Sequence, residues 1–407
     1  RNCVRIISVV SGHNKLVDAV CDGEILAVVS HTIFSAQEIP SDVAVDTAKY
    51  FSNICQPMGK EYLRRLVVED KVPLAIMDLL GKSTDNLEAQ RIGARGLQNL
   101  MSHRQNSNDL CESCLGTFVH MIDINHDVGA AESIYNMSCS PDCLEVLMNS
   151  NIHKKMLEYY VSVGDGAKEG GETQKNALAV RKVYLSVIEQ MFKVNMCIDD
   201  LLELDIVEKL CSSIYDESSE VLWANAVKIV LNIVNHRDDL TEAQRTKIVG
   251  LLAIICRKGS PEDILGKASV VLAYLSLALE DFSEVDGVLR SILSLSESDL
   301  VIESVSIVLF NLTCSEAHAS LLCKDLLYIN IMIQIMRNGR PEVQQHIAKA
   351  MRTLCSLESC CKLLLSSPAL ADLIVIALLR TSSEEIKVVC SEAFYNLLTH
   401  LNQREAL

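Results

Sequence analysis

One short helical pattern recurs along the whole chain and restricts the possible folds more than any other feature. The copy at residues 348–355 begins with Ala348, has the apolar Met351 three positions later, and continues with Thr353 and the apolar Leu354. We call the polar position, here Thr353, the anchor. Nine copies align on it at intervals of about 37 to 54 residues, a spacing typical of repeats of two or three helices. The nine anchors are Asn53, Asn99, Asn136, Gln190, Asn232, Tyr274, Asn311, Thr353 and Asn396.

Three columns of the alignment indicate how such helices pack. The residue after the anchor and the residue two before it are apolar in all nine copies, and the residue five before it is Ala or Ser in seven. Apolar residues three apart share one helix face, and a small residue lets a neighbouring helix approach closely. Further apolar helices are predicted between the anchors, for example at residues 72–80, 206–214 and 369–379, and no stretch alternates like a strand. The sequence therefore predicts an all-α fold, an α-solenoid.

Composition narrows the range of partners. The 407 residues carry a formal net charge of −16, and only 4% of them are aromatic. Few aromatics and many aliphatic residues suit thin layers of stacked helices. Because nucleic-acid affinity depends largely on Lys and Arg that neutralise phosphates, we expect no nucleic-acid partner.

The cysteines indicate a reducing compartment. Most of the 16 stand among apolar helical neighbours, where a free Cys behaves as a small hydrophobic residue. No apolar run approaches the ~18 residues of a membrane span, and no signal peptide is present. The first residues already look like the middle of a repeat and no Met precedes them, so we expect the chain to be part of a longer, cytoplasmic protein.

The columns resemble armadillo repeats, whose third helix reads roughly Ala-x-x-Ala-Leu-x-Asn-Leu and whose second helix begins near Val-Pro, as at Val72-Pro73. Residues 261–269 fit the related HEAT repeat equally well. The resemblance implies a right-handed superhelix of two- and three-helix repeats. It places partial N-terminal repeats at 1–42 and full repeats at 43–160 and 177–407. The Gly-rich, charged residues 161–176 are expected to form a flexible inter-repeat loop.

The resemblance also implies a binding groove. In armadillo proteins the third helices line a concave groove, where a recurrent Asn hydrogen-bonds the backbone of an extended peptide. An amide side chain both donates and accepts, like the peptide unit that it would bind. The alternative is that these are merely exposed polar positions or caps within repeats. The expected groove residues are the six Asn anchors and four basic residues one turn earlier: Lys49, Asn53, Arg95, Asn99, Asn136, Lys228, Asn232, Asn311, Lys349 and Asn396.

The row one turn before the anchors indicates what the groove selects. Nuclear-import adaptors of the importin-α type carry Trp there, and this chain carries none at those positions. Four basic residues in the row resemble instead the acidic-peptide grooves of catenin-type proteins. We therefore expect an acidic or phosphorylated peptide segment as the ligand.

Other kinds of site are less well supported. Cys111, Cys114, Cys139 and Cys143 have a spacing that could supply four zinc ligands, but their helical setting favours ordinary core cysteines. The Gly run at 164–170 lacks the spacing of a phosphate-binding loop. No motif of a nucleophile elbow, metalloprotease, kinase or P-loop is present. We expect no enzyme activity, no metal and no cofactor.

The sequence thus predicts a non-enzymatic scaffold or adaptor for other proteins. One alternative is a structural subunit of a large cytoskeletal or axonemal (ciliary) assembly, such as a dynein docking complex, bound through its ends and convex face. A second alternative is a regulatory binder of a chaperone or small GTPase. Both rest on analogy with the fold rather than on particular residues.

Overall fold

The computed structural model describes residues 2–13, 23–56, 60–102, 104–165, 172–216, 219–257, 260–296, 298–365 and 383–405. Within these ranges it contains 23 helices and no strand. The helices are α1 Asn2–Ser11, α2 Gly23–Ser35, α3 Ser41–Ile54, α4 Lys60–Val68, α5 Val72–Lys82, α6 Leu87–Met101, α7 Arg104–Asn125, α8 Val128–Ser138, α9 Pro141–Asn149, α10 Ile152–Asp165, α11 Glu172–Lys193, α12 Ile198–Glu203, α13 Ile206–Asp216, α14 Glu220–His236, α15 Glu242–Arg257, α16 Glu262–Leu275, α17 Phe282–Leu295, α18 Asp299–Thr313, α19 Glu316–Lys324, α20 Leu326–Asn338, α21 Pro341–Ser356, α22 Glu358–Leu365 and α23 Glu384–Glu405. The predicted all-α class is confirmed.

Every anchor lies in a helix, and the columns around it are buried as their pattern predicts. The apolar residues two before and one after the anchor are buried in all copies except the last, where Phe394 is 41% exposed. The residue five before the anchor is also buried except for Ser391 of that last copy. The repeated pattern therefore specifies the core between neighbouring helices.

The chain forms two compact units, residues 1–206 and 207–407. In the first unit the helices that carry the pattern pack in chain order, α3 on α6, α6 on α8 and α8 on α11, and α1 packs on α3 in the same way. In the second unit α14, α16, α18, α21 and α23 pack in the same serial way. We call these the inner helices. The sequence did not predict the division into units, because the repeat pattern continues through it.

Local signals fix where several inner helices begin. The side chains of Asn86, Asp127 and Ser298 accept hydrogen bonds from backbone N–H groups in the first turns of α6, α8 and α18. Such caps satisfy N–H groups that have no partner within the helix. Helix α21 instead starts with Pro341, which has no N–H to satisfy. The helix starts place the anchors about two to four turns later, near the other end of each helix.

The remaining helices pack behind the inner ones. In the first unit α5 packs on α6, and α9 packs on α7 and α8; in the second, α15 packs on α17, and α19 packs on α18, α20 and α22. No single helix in the described ranges is long and apolar enough to cross a membrane; α19 and α20 meet that test only as a pair, bent by 88°.

The structure places some predicted boundaries differently. Helix α10 continues to Asp165 and α11 begins at Glu172, so the predicted loop 161–176 is helical at both ends. Its middle, residues 166–171, lies outside the described residues, as does the predicted helix at 369–379. At the N-terminus, α1 packs on α3 as one inner helix on the next.

Candidate binding face

The anchors and the residues one turn before them lie on one side of each inner helix, because positions four apart are neighbours on a helix surface. Eight anchors are half-buried, and the ninth, Tyr274, is 57% exposed. Of the four basic residues, Lys49 and Arg95 are exposed, whereas Lys228 and Lys349 are half-buried. We call this side of the inner helices the inner face.

Side-chain contacts connect the inner face from one helix to the next. Gln98 Nε2 donates to Glu132 Oε2 at 2.7 Å, and Arg352 Nη1 lies 3.2 Å from Glu392 Oε2. In both contacts the residue just before one anchor meets the residue four before the next anchor. The two rows therefore form a single surface across α6 and α8 and across α21 and α23.

Two of the predicted ligand-binding Asn residues are engaged within the stack. Asn311 Nδ2 donates to Ala273 O at 3.1 Å, on the preceding inner helix α16, and to Ser276 Oγ at 3.0 Å, in the residue that directly follows α16. Asn53 Nδ2 makes the same pair of bonds, to Ser8 O at 3.3 Å and Ser11 Oγ at 3.1 Å. A primary amide has two donor protons, so both are used in each case. These two Asn side chains bind neighbouring repeats together.

A serine in the preceding repeat makes this arrangement possible. Ser276 stands two residues after the anchor Tyr274, and Ser11 stands at the corresponding place in α1, two residues after Val9. Each serine donates its hydroxyl proton to a carbonyl one turn earlier, at 2.8 Å for Ser11 and 2.9 Å for Ser276. Because the proton is already committed, the hydroxyl oxygen accepts from the Asn of the next helix. A Ser two residues after the anchor position of one repeat, followed by an Asn anchor in the next repeat, therefore indicates in the sequence that this Asn bonds to the preceding repeat.

The other Asn anchors lack such a partner. Within the described part of the chain, the side chains of Asn99, Asn136, Asn232 and Asn396 make no hydrogen bond. Where the preceding inner helix belongs to the same unit, its matching residue is not Ser: Cys55 precedes Asn99, Met101 precedes Asn136, and Cys355 precedes Asn396. Their half-buried amides therefore leave both donor protons and the acceptor oxygen unused within the described residues.

The three anchors that are not Asn behave differently. Gln190 is engaged locally, since its Nε2 donates to Glu189 at 3.2 Å and its Oε1 accepts from Lys193 at 3.4 Å. Thr353 donates to the carbonyl of Lys349, one turn earlier, at 3.1 Å. The exposed Tyr274 makes no side-chain hydrogen bond among the described residues.

The basic row is mostly unpaired. Lys49 lies 3.4 Å from Glu88 of the next inner helix, whereas Arg95, Lys228 and Lys349 have no ion-pair partner in the described ranges. The positive charge of Lys349 affects the neighbouring His346. The pKa of His346 is lowered mainly by burial and secondarily by Lys349. Three cations of the inner face thus lack a counter-charge in a protein of net charge −16.

An apolar patch that the sequence pattern does not predict lies in the middle of the second unit's inner face. It consists of Val270, Tyr274, Leu277, Ile307 and Phe310, contributed by α16, α18 and the turn after α16. Tyr274 is 57% exposed and Leu277 is 65% exposed. An alignment on polar anchors does not reveal the patch, although Val270 and Ile307, one turn before their anchors, stand where most other copies have a basic or polar residue.

Comparisons with known proteins bear on the fold rather than on the ligand. No family model matches the sequence. No curated protein matches it either. Among solved structures, an engineered protein superposes with a TM-score of 0.61 at 15% identity, covering 98% of this chain and 94% of that one. A structure concerned with a phosphorylation switch in the interaction between cadherin and beta-catenin superposes with a TM-score of 0.54 at 13% identity, covering 98% and 88%. A designed armadillo repeat protein for modular peptide recognition matches 60% of this chain, with a TM-score of 0.44 at 16% identity.

This chain has the armadillo-type α-solenoid fold. The superposition over nearly the whole chain agrees with the repeated columns and with the serial packing of the inner helices.

The cysteines of this armadillo fold do not form a metal centre within the described residues, where no group of three or more His, Cys, Asp or Glu side chains could hold an ion. Cys111, Cys114 and Cys143 are buried, but Cys139 is exposed, contrary to its interpretation as a core residue. The pKa of the Cys111 thiol is raised by its hydrogen bond with Cys143 and by burial.

Proposed function

We propose that this protein is a non-enzymatic scaffold that holds extended polypeptide segments against the inner faces of its two units. The observation that carries the proposal is the set of four half-buried Asn amides without intramolecular hydrogen bonds, accompanied by three unpaired cations. Polar groups that are half-buried and unpaired favour a partner that can complete their hydrogen bonds.

The spacing of the amides suits an extended chain. Packed helices lie about 8–10 Å apart, and an extended peptide advances about 3.3 Å per residue. Neighbouring anchors such as Asn99 and Asn136, on the adjacent helices α6 and α8, would therefore meet roughly every third residue of a bound segment. Because one amide both donates and accepts, it matches both groups of a peptide unit and needs no particular side chain there.

The unpaired cations give the inner face a preference for negatively charged segments. Arg95, Lys228 and Lys349 favour segments with carboxylate or phosphate groups at the matching positions. The similar structure concerned with the cadherin and beta-catenin interaction supports a protein-binding role by analogy of fold.

Replacing both Lys228 and Asn232 by Ala should weaken peptide capture without unfolding the protein. The change removes one unpaired cation and one unpaired amide on successive turns of α14. We expect about 10- to 30-fold weaker binding, since each such polar contact contributes roughly 1 kcal/mol. A phage-displayed library of random peptides, selected on the intact protein, supplies the binders, and retention of the selected pool is then measured on each variant.

The matched control replaces Lys209 and Asn338 by Ala, the same residue types on the second unit's helices α13 and α20, which are not inner helices. It should retain the pool as the wild type does. Equal retention by the Lys228/Asn232 variant and the wild type would rule out this part of the inner face. Crosslinks confined to the other helices would favour instead an assembly subunit bound elsewhere on its surface.

A further inference from the structure

The inner face of the second unit has a charge pattern as well as an apolar patch. Lys228 precedes the patch on α14, and Lys349 follows it on α21, while Val270, Tyr274, Ile307 and Phe310 lie between them on α16 and α18. The serial packing of α14, α16, α18 and α21 fixes this order in space. The face is therefore cationic, then apolar, then cationic.

The two cations at the borders are the ones that lack partners. Lys228 and Lys349 have no ion pair among the residues the structure describes, whereas the next cation, Arg352, is paired with Glu392 at 3.2 Å. Charge complementarity therefore favours a ligand with negative groups at both borders of the patch. It does not favour a negative group at Arg352, whose charge is already paired.

The exposed apolar side chains favour a partner that covers them. Tyr274 and Leu277 are more than half exposed, on α16 and in the turn after it. Helix α16 packs on α18, which carries the half-buried Ile307 and Phe310. Contiguous exposed apolar surface bordered by polar residues is typical of interaction sites, and aromatic side chains contribute strongly to binding.

We propose that the second unit binds an extended segment with an apolar or aromatic centre and carboxylates on both sides. This assignment rests on the proposed scaffold function and specifies its ligand class. Three helix spacings of about 8–10 Å separate the borders, which corresponds to about eight or nine residues of extended chain between the carboxylates.

Three synthetic peptides of about twelve residues test the ligand class, a length that spans this distance with acidic residues to spare. The first has acidic pairs at both ends and Ile, Tyr and Leu alternating with Ser between them. The second has Lys in place of the acids, and the third has Ser in place of the apolar residues. Fluorescence anisotropy of labelled peptides on the intact protein should show binding of the first, weakened by salt, and little binding of the other two.

Charge reversal provides the matching change in the protein. The double substitution Lys228→Glu and Lys349→Glu should weaken binding of the acidic peptide about 30-fold and strengthen binding of the Lys peptide. Tyr274→Ser should weaken binding of the acidic peptide about tenfold, because it removes exposed aromatic surface. Lys209→Glu on α13 is the control and should leave all three affinities unchanged.

His346 offers an independent readout in the same experiment. Its pKa is lowered partly by Lys349, and its Nδ1 lies 3.1 Å from Ser306 Oγ on α18. A bound carboxylate at Lys349 should therefore raise the pKa of His346, which NMR titration of the ring resonances measures. An unchanged pKa in the saturated complex would contradict the placement at Lys349.

The outcomes separate this proposal from the scaffold function. The ligand class is wrong if charge reversal leaves the affinity for the acidic peptide unchanged, or if the wild type binds the Lys peptide as tightly as the acidic one. This holds even when retention of the phage-selected pool still depends on Asn232. If no peptide pool is retained at all, the scaffold function fails and this assignment fails with it.

Discussion

Replacing Phe51 by Ala should lower the free energy of unfolding of the first unit by about 3–5 kcal/mol, the usual cost of truncating a buried aromatic residue. Phe51 occupies the column two before the anchor in α3, and it is fully buried. The helices α1 and α6 pack on either side of α3, so they cannot both move to fill the cavity without breaking their own contacts. Chemical denaturation followed by circular dichroism measures the loss.

The same column supplies the control. Phe394 stands at the matching position of α23, where it is 41% exposed. Its replacement by Ala should cost less than about 1 kcal/mol, since exposed substitutions rarely exceed that. Equal losses at the two positions would show that the column does not define the core between repeats.

Replacing Asp286 by Ala should lower the free energy of unfolding of the second unit by about 2–3 kcal/mol, because it leaves a buried hydroxyl without an acceptor. The hydroxyl of the fully buried Tyr328 on α20 donates to Asp286 Oδ1 on α17. The same carboxylate pairs with Arg290 Nε at 2.9 Å, and Arg290 also pairs with Asp325. Denaturation of the variant tests this prediction.

A second substitution shows whether the hydroxyl is the cause. Tyr328→Phe alone should cost at most about 1 kcal/mol, and added to Asp286→Ala it should restore part of the lost stability, since removing both partners leaves no unsatisfied group. Strictly additive losses would mean that the cost of the Asp286 change comes from other contacts.

The repeat fold could be predicted from the sequence because its columns encode packing directly. Met351 and Leu354 must be apolar and Ala348 must be small for α21 to pack between its neighbours, and these positions are buried as expected. The division into units and the helical ends of the predicted loop could not be predicted. They depend on contacts between helices whose sequences follow no repeated column.

The site was only partly predictable, because one residue type serves two purposes. Asn53 and Asn311 look like Asn99 in an alignment of anchors, yet the first two donate both amide protons to the preceding helix. The difference lies in another repeat, where Ser11 and Ser276 supply the acceptor. The apolar patch around Tyr274 could not be predicted for a related reason, since an alignment of anchors marks such residues only as departures from the polar consensus and does not show how far they are exposed.

The division of the Asn anchors is the central claim, and single Ala substitutions at all six test it most directly. Retention of the phage-selected peptide pool and the denaturation midpoint are measured for each variant. We predict that the variants at Asn99, Asn136, Asn232 and Asn396 bind about five- to tenfold more weakly with unchanged midpoints. The variants at Asn53 and Asn311 should instead lose about 1–2 kcal/mol of stability and keep the pool at temperatures where they are folded. Loss of stability at the first four, or loss of binding at the last two without loss of stability, would contradict the account.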